Sequence, residues 1–257
     1  MPAVQWQVDV GNKLLGALAQ SEFRRLSEYL ERVQFAKGEV VYVTGDTIRY
    51  AYFPIDGLLS LLLTTETGAS MELAMVGNEG LVGLTMINKT GVIPYDVTAP
   101  VATEAWKIKA QLLEKEFDRG EGLHDLLLAY LNTLMAQISQ SSICHRFHKL
   151  EAALSTWLLV VHDRLNSATL NLTHELISSA LGVPRTGVTA AAGSLQRAGL
   201  IRYSRGRIKI LDRAGLEDTS CECYRILADR IKDFPKDSTT RSREAWTQPK
   251  SFPVLSD

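Results

Sequence analysis

Arg185, Thr186 and Thr189 stand at the start of a helical pattern that Pro184 opens, and their side chains are the ones most able to read a nucleic acid. An arginine fork bonds both O6 and N7 of guanine, and a threonine hydroxyl reaches a base edge or a phosphate oxygen. Residues four apart share a helical face, so Arg185 and Thr189 project together. A second cluster follows, in which Arg202, Arg205, Arg207 and Lys209 alternate with apolar residues around a turn containing Gly206. Such alternation predicts a hairpin with its apolar face inward and its cations outward. Between positions 185 and 213 the acidic side is represented by Asp212 alone, although the whole chain carries a net charge of −1. A local positive field of this kind suits phosphates.

The preceding residues hold these groups in place. Thr173 is placed to accept a hydrogen bond from the free N–H groups of a helix whose inner face is Leu176, Ile177, Ala180 and Leu181. Gly182 permits the positive φ that stops this helix, and Pro184 fits the first turn of the next one. Val188, Ala191, Ala192 and Leu195 form that helix's inner face, and Gly199 ends it. The pattern is a helix-turn-helix, in which the first residues of the second helix meet base edges. The expected DNA-contacting set is Thr173, Pro184, Arg185, Thr186, Thr189, Arg202, Arg205, Arg207 and Lys209. Ordinary packing of two helices beside a solvated hairpin is the alternative, and the appended basic wing weighs against it.

Composition bounds the rest. A chain of 257 residues has room for about two domains, and 46% apolar residues exclude a disordered chain. The near-neutral charge excludes a protein that coats nucleic acid everywhere. No apolar run approaches the ~20 residues of a membrane span and no secretory signal is evident, so a cytoplasmic protein without membrane attachment is expected. Three cysteines, an odd number, fit reduced thiols. Cys221 and Cys223 by themselves are too few and too close for zinc, and Cys144, His145 and His148 lack a fourth ligand at a telling spacing. The expectation is therefore no metal. His124, His162 and His174 read as surface or half-buried residues.

Along the chain, residues 14–32 read as helices, with Ser21 placed to cap the second. Residues 33–108 read as short strands punctuated by glycine, which suggests a small jelly-roll-like barrel. A long helix follows from 122 to about 148. Its Leu127, Leu131, Leu134 and Ile138 have coiled-coil spacing and are the expected dimer seam, while Leu123, Leu126 and Tyr130 are free to pack on the barrel. Residues 149–165 and 221–234 read as further helices. The expected division is a sensor domain over 1–121, a dimerisation helix and hinge over 122–147, a winged helix-turn-helix over 148–234 and a flexible tail over 235–257.

Taken in chain order, Tyr52-Phe53-Pro54 with Gly57, then Gly77-Asn78-Glu79-Gly80-Leu81-Val82-Gly83, then Gly182-Val183-Pro184-Arg185-Thr186-Gly187-Val188 and Leu195-Gln196-Arg197-Ala198-Gly199-Leu200-Ile201 resemble the Crp/Fnr family of bacterial transcription regulators. The resemblance spans roughly residues 14–218. It implies an α+β fold class: an N-terminal antiparallel β-roll (jelly-roll-like) with flanking helices, a long dimerisation helix and a C-terminal winged helix-turn-helix. It also implies a homodimer on double-stranded promoter DNA, RNA polymerase as a partner, and a roll with an effector pocket near Met75, Gly83, Leu84, Ile93 and Tyr95.

The same resemblance exposes departures. Members that bind cyclic nucleotides carry a Gly-Glu pair and an Arg-Ser or Arg-Thr pair in the roll. Here Leu84 follows Gly83, the loop over 88–95 has no arginine, and Ile93-Pro94 fall where the Arg-Ser pair would be. A cyclic phosphate beside Leu84 and Ile93 would be uncompensated at a cost of several kcal/mol, so a signal other than cyclic AMP is expected. With no cysteine before Cys144 and no histidine before His124, neither an iron–sulfur cluster nor a haem is expected. The family's second helix carries Arg-Glu-Thr and a further Arg. Arg185 matches, Thr186 and Ala190 do not, and no consensus target carries over. A roll without histidine also lacks the ligands for metal-dependent catalysis, so no enzyme is expected. The remaining alternative is a small-molecule or protein-binding module with a vestigial helix-turn-helix.

Overall fold

Short runs rich in apolar and β-branched residues form strands, and glycines at positive φ turn the chain between several of them. The computed structural model describes residues 10–165 and 167–234, so the tail expected over 235–257 lies outside the described residues. Two short helices, α1 (Lys13–Gly16) and α2 (Gln20–Ser27), come first. Asn12 caps α1, but α2 begins at Ala19 without a side-chain cap, and Ser21 sits inside its first turn rather than before it. The helical segment also stops short of Arg32. That residue pairs with Trp106 in a sheet, and the ladder's hydrogen bonds override local helical pattern.

The roll consists of β1 (Glu31–Phe35), β2 (Val40–Tyr42), β3 (Tyr50–Asp56), β4 (Leu59–Thr64), β5 (Ser70–Val76), β6 (Asp96–Thr98) and β7 (Thr103–Lys109). Their pairings are antiparallel, in one sheet of order β1-β7-β3 and another of order β2-β6-β4-β5. Phe35, Phe53, Leu61, Val97 and Ile108 fill the space between them. The Tyr52-Phe53-Pro54 and Gly77–Gly83 segments are knitted together. Tyr52 N donates to Val82 O at 3.0 Å and Val82 N to Tyr52 O at 2.8 Å, while Asn12 Nδ2 donates to Pro54 O at 2.9 Å and Gly80 O at 3.0 Å. Gly80 is required because a Cβ there would collide with the Tyr130 ring.

After α3 (Ala110–Phe117) comes α4 (Gly122–Phe147), which ends as His148 turns extended at φ −95 and ψ 151. Two of the four residues expected at a dimer seam face inward. Leu127 is 0% exposed and Leu134 5%, both packed into the roll's own core with Leu123, Leu126 and Tyr130. The outward stripe is instead Leu128, at 39% exposure, and Met135, at 57%, flanked by half-buried Leu131 and Ile138. A helix apolar on two sides satisfies both registers in sequence. The roll takes the more apolar one.

The C-terminal half holds α5 (Leu150–Leu165), β8 (Thr169–Leu170), α6 (His174–Leu181), α7 (Arg185–Arg197), β9 (Ile201–Ser204), β10 (Arg207–Ile210), α8 (Arg213–Thr219) and α9 (Glu222–Asp233). The wing is three-stranded, because β8 joins β10 on the side away from β9. Neither β8 nor α8 was expected from sequence. Two residues are too few to show alternation, and α8 has a single fully buried leucine, Leu216, although Asp212 caps it. Leu154, Trp157, Ile177, Val188, Leu195 and Ile208 form this half's core, and Leu58, Met75 and Val101 of the roll belong to the same cluster.

Candidate nucleic-acid interface

Thr173 accepts from Leu176 N at 3.2 Å and so caps the first turn of α6. Gly182, at φ +63, ends it, and a Cβ on that residue would touch Met71 of the roll at 3.4 Å. The turn of the helix pair is therefore pressed against β5, while α7 leads away from it. Pro184 is the N-cap of α7. Val188, Ala191, Ala192 and Leu195 are buried, whereas Pro184, Arg185, Thr186 and Thr189 are exposed, as a reading helix needs.

The hairpin stands beside α7. Arg205 and Gly206 both take positive φ, +48 and +76, the geometry of a tight two-residue hairpin turn. Ile201 and Ile208 point into the core while Arg202, Arg205, Arg207 and Lys209 are exposed. Together with Thr169 and Ser204 they line one shallow basin. The bond from Tyr203 N to Gln196 Oε1, at 2.7 Å, fixes the hairpin to the end of α7.

His174 departs from the surface or half-buried place that the sequence suggests. It is buried, and its ring stacks on Tyr203 with centroids 4.0 Å apart. Thr189 Oγ1 donates to Arg185 O at 3.0 Å, so the 3.0 Å contact with His174 Nδ1 places the donor on the histidine. His174 Nε2 has no partner. Burial, and then the charge of Arg185, lower the imidazole's pKa and keep it neutral. One histidine thus ties α6, α7 and the wing together. The Thr189 hydroxyl is engaged within the fold, which leaves Arg185 and Thr186 as the freer donors at the tip of α7. No sequence period announces this contact, because Thr189 and Tyr203 meet His174 only through the fold.

Two buried carboxylates fasten this unit to the roll. Glu79 accepts from Arg164 Nε at 2.8 Å, with side chains 5% and 4% exposed. Glu72 accepts from Trp157 Nε1 at 2.8 Å and from Ser60 Oγ, and burial pushes its carboxyl up to about 7. Lys37 Nζ of the roll also donates to Asn171 O at 2.7 Å. The acidic residue of the Gly77-Asn78-Glu79-Gly80 segment is therefore an anchor for α5.

The residues expected to form an effector pocket divide. Leu84, Ile93 and Tyr95 are buried in the roll's core, with Gly83 at φ +95 ahead of a 3-10 turn, Leu84–Asn88. Met75 does not join them. It packs in the other core, among Leu154 and Trp157, because β5 turns that side chain toward α5.

A strand-rich roll, a long helix and a winged helix pair with an exposed arginine-tipped second helix define a regulator that binds DNA. Comparison agrees, for residues 32–119 match the cyclic nucleotide-binding domain and residues 152–219 the Crp-like helix-turn-helix domain, together more than half of the chain. The chain belongs to the Crp/Fnr family of transcription regulators. It is 27% identical over 202 residues to the transcriptional regulator SdrP of Thermus thermophilus, covering 75% of this chain and 96% of that protein. To the global nitrogen regulator of Synechococcus elongatus it is 22% identical over 199 residues, covering 73% and 88%. The solved structure of FixK2 from Bradyrhizobium japonicum shares the fold, with a TM-score of 0.65 and 18% identity over 75% of this chain and 98% of that one. Among the described residues no helix is long and apolar enough to cross a membrane.

Proposed function

We propose that the chain acts as a homodimeric, sequence-specific transcription regulator whose roll responds to a signal other than cyclic AMP. The observation that carries the reading is the free tip of α7, where Arg185 and Thr186 are exposed beside a row of exposed wing cations. Two heads related by a two-fold axis would meet half-sites about one helical turn apart, on the order of 10 base pairs. Dimerisation is supported by the outward stripe of α4, in which Leu128, Leu131, Met135 and Ile138 repeat at intervals of three and four residues. The reading of the signal is supported by the packing of Leu84 and Ile93, which are 2% and 0% exposed, and by Lys89, whose ammonium faces Asp118 at 3.1 Å. A regulator of this class contacts RNA polymerase from the promoter, and the chain carries that partner as part of the proposal.

Binding selection from random duplexes, followed by titration against salt, tests the reading. Arg185→Ala should relax preference at one position of each half-site by about 1–3 kcal/mol. Arg207→Ala should weaken every sequence alike and reduce the salt slope by about one unit. Selection that enriches no sequence, with only weak uniform retention, would overturn it.

A further inference from the structure

At the far end of α4 from the roll, the chain gathers three thiols and an imidazole from segments about seventy-five residues apart in sequence. Cys144 and His148 come from the end of α4 and the bend after it, Cys221 and Cys223 from the start of α9. All three cysteines are buried. Cys144 Sγ and Cys221 Sγ are 3.5 Å apart, Cys223 Sγ and His148 Nδ1 are 3.5 Å apart, and the four potential ligand atoms lie within 4.8 Å of one another. We propose that Cys144, His148, Cys221 and Cys223 form a tetrahedral site for a single thiophilic divalent ion of the zinc class.

The geometry selects that chemistry. Around one ion with bonds of about 2.0–2.3 Å, tetrahedral ligand atoms stand roughly 3.3–3.8 Å apart, which two of the pairs already match. A set this tight leaves no room to enclose a multinuclear cluster. Sulfur and imidazole donors without a carboxylate favour zinc-like ions over magnesium or calcium. Supporting contacts of the kind that surround such sites are in place as well. Glu222 Oε1 is 3.2 Å from His148 Nε2, the nitrogen not facing the thiols. Thr156 Oγ1 is 3.1 Å from Cys221 Sγ, and Gln140 Nε2 donates to Cys223 Sγ at 3.0 Å. Binding would displace the three thiol protons to water and leave the imidazole neutral, for a net charge of about −1 at the site. His145, beside these ligands in sequence, is not among the four residues whose ligand atoms converge, although it lines a cavity that Cys144 and Cys223 also line.

The site's position gives it a consequence. It would clamp the bend between the α4 helix and the head to α9, so that the angle between them is held by coordinate bonds as well as by packing. This inference does not depend on the DNA reading, since metal content and DNA binding are measured separately.

The test begins with the full chain purified under reducing conditions and without added metal, assayed for bound metals by elemental analysis. It continues with protein stripped by a chelator and titrated with Co²⁺. The proposal expects about one zinc-class ion per chain. It also expects the visible bands of tetrahedral Co²⁺ with thiolate-to-cobalt charge transfer, and a melting temperature lowered by stripping and restored by Zn²⁺ but not Mg²⁺. His148→Asn and Cys223→Ser should each lose or shift the cobalt bands, whereas His145→Asn should keep them. Circular dichroism separates a folded variant from an unfolded one, and the measurements on the unaltered chain stand without any variant. Absence of both bound metal and cobalt bands in the unaltered chain would overturn the site. So would bands unchanged in folded His148→Asn and Cys223→Ser, or a Cys144–Cys221 disulfide in the reduced preparation.

Discussion

The roll and the winged head handle their chemistry-bearing residues in opposite ways. In the roll, the residues that the resemblance suggests for an effector pocket, Leu84, Ile93 and Tyr95, are part of the packed core. In the head, the donors stand outward on α7 and the hairpin while a histidine buttresses them from beneath. The charged groups that the roll does bury, Glu72 and Glu79, are turned away from its interior and toward α5. The contrast teaches that the roll commits these buried carboxylates to its junction with the head, where they meet Trp157 and Arg164 of α5.

The strongest way to break that picture is to cut the junction. Arg164→Ala leaves Glu79 as a buried, unpaired carboxylate, and should cost about 3–5 kcal/mol in urea unfolding. A loss below 1 kcal/mol would mean that the two halves are not fastened there. The next test separates the two faces of α4. Leu127→Ala should destabilise the fold by roughly 2–5 kcal/mol through the cavity it leaves. Leu128→Asp should leave stability of the monomer nearly unchanged and shift the chain toward monomer in sedimentation. If Leu127→Ala instead dissociates a dimer without loss of stability, the seam expected from spacing is the correct one.

The smallest expected effect is a pH dependence. The unfolded chain releases the Glu72 proton near 4.5, whereas the folded protein holds it to about 7. Between those values the folded state binds more protons, so stability is greatest below 4.5 and falls as pH rises toward 7. The difference is up to about 3 kcal/mol. Glu72→Gln should flatten this part of the profile, and parallel profiles for the two proteins would remove Glu72 as its source.

Some elements were legible because their signals are local. Gly182, Pro184, Gly199 and Gly206 mark turns whose backbone requirements follow from the residue type, and the reading helix falls between the first and third of them. The long helix at 122–147 was equally plain from its apolar repeat. Short elements were not. β8 exists because β10 offers it an edge, and Ser21 lost its capping place because Asn12 and Ala19 set the helix starts. Met75 shows the limit most directly, since its neighbours along β5 could not say which of two cores would receive it.

Sequence by itself determined the order of parts, the arginine-tipped helix and the sign of its field, because φ preferences, capping and charge are properties of neighbouring residues. Tertiary structure alone decided which face of α4 is free, that His174 supports the reading helix, and that Cys144 and His148 meet Cys221 and Cys223. Each of those depends on chain segments far apart in number brought within a few ångströms by the burial of apolar surface, and no local period records it.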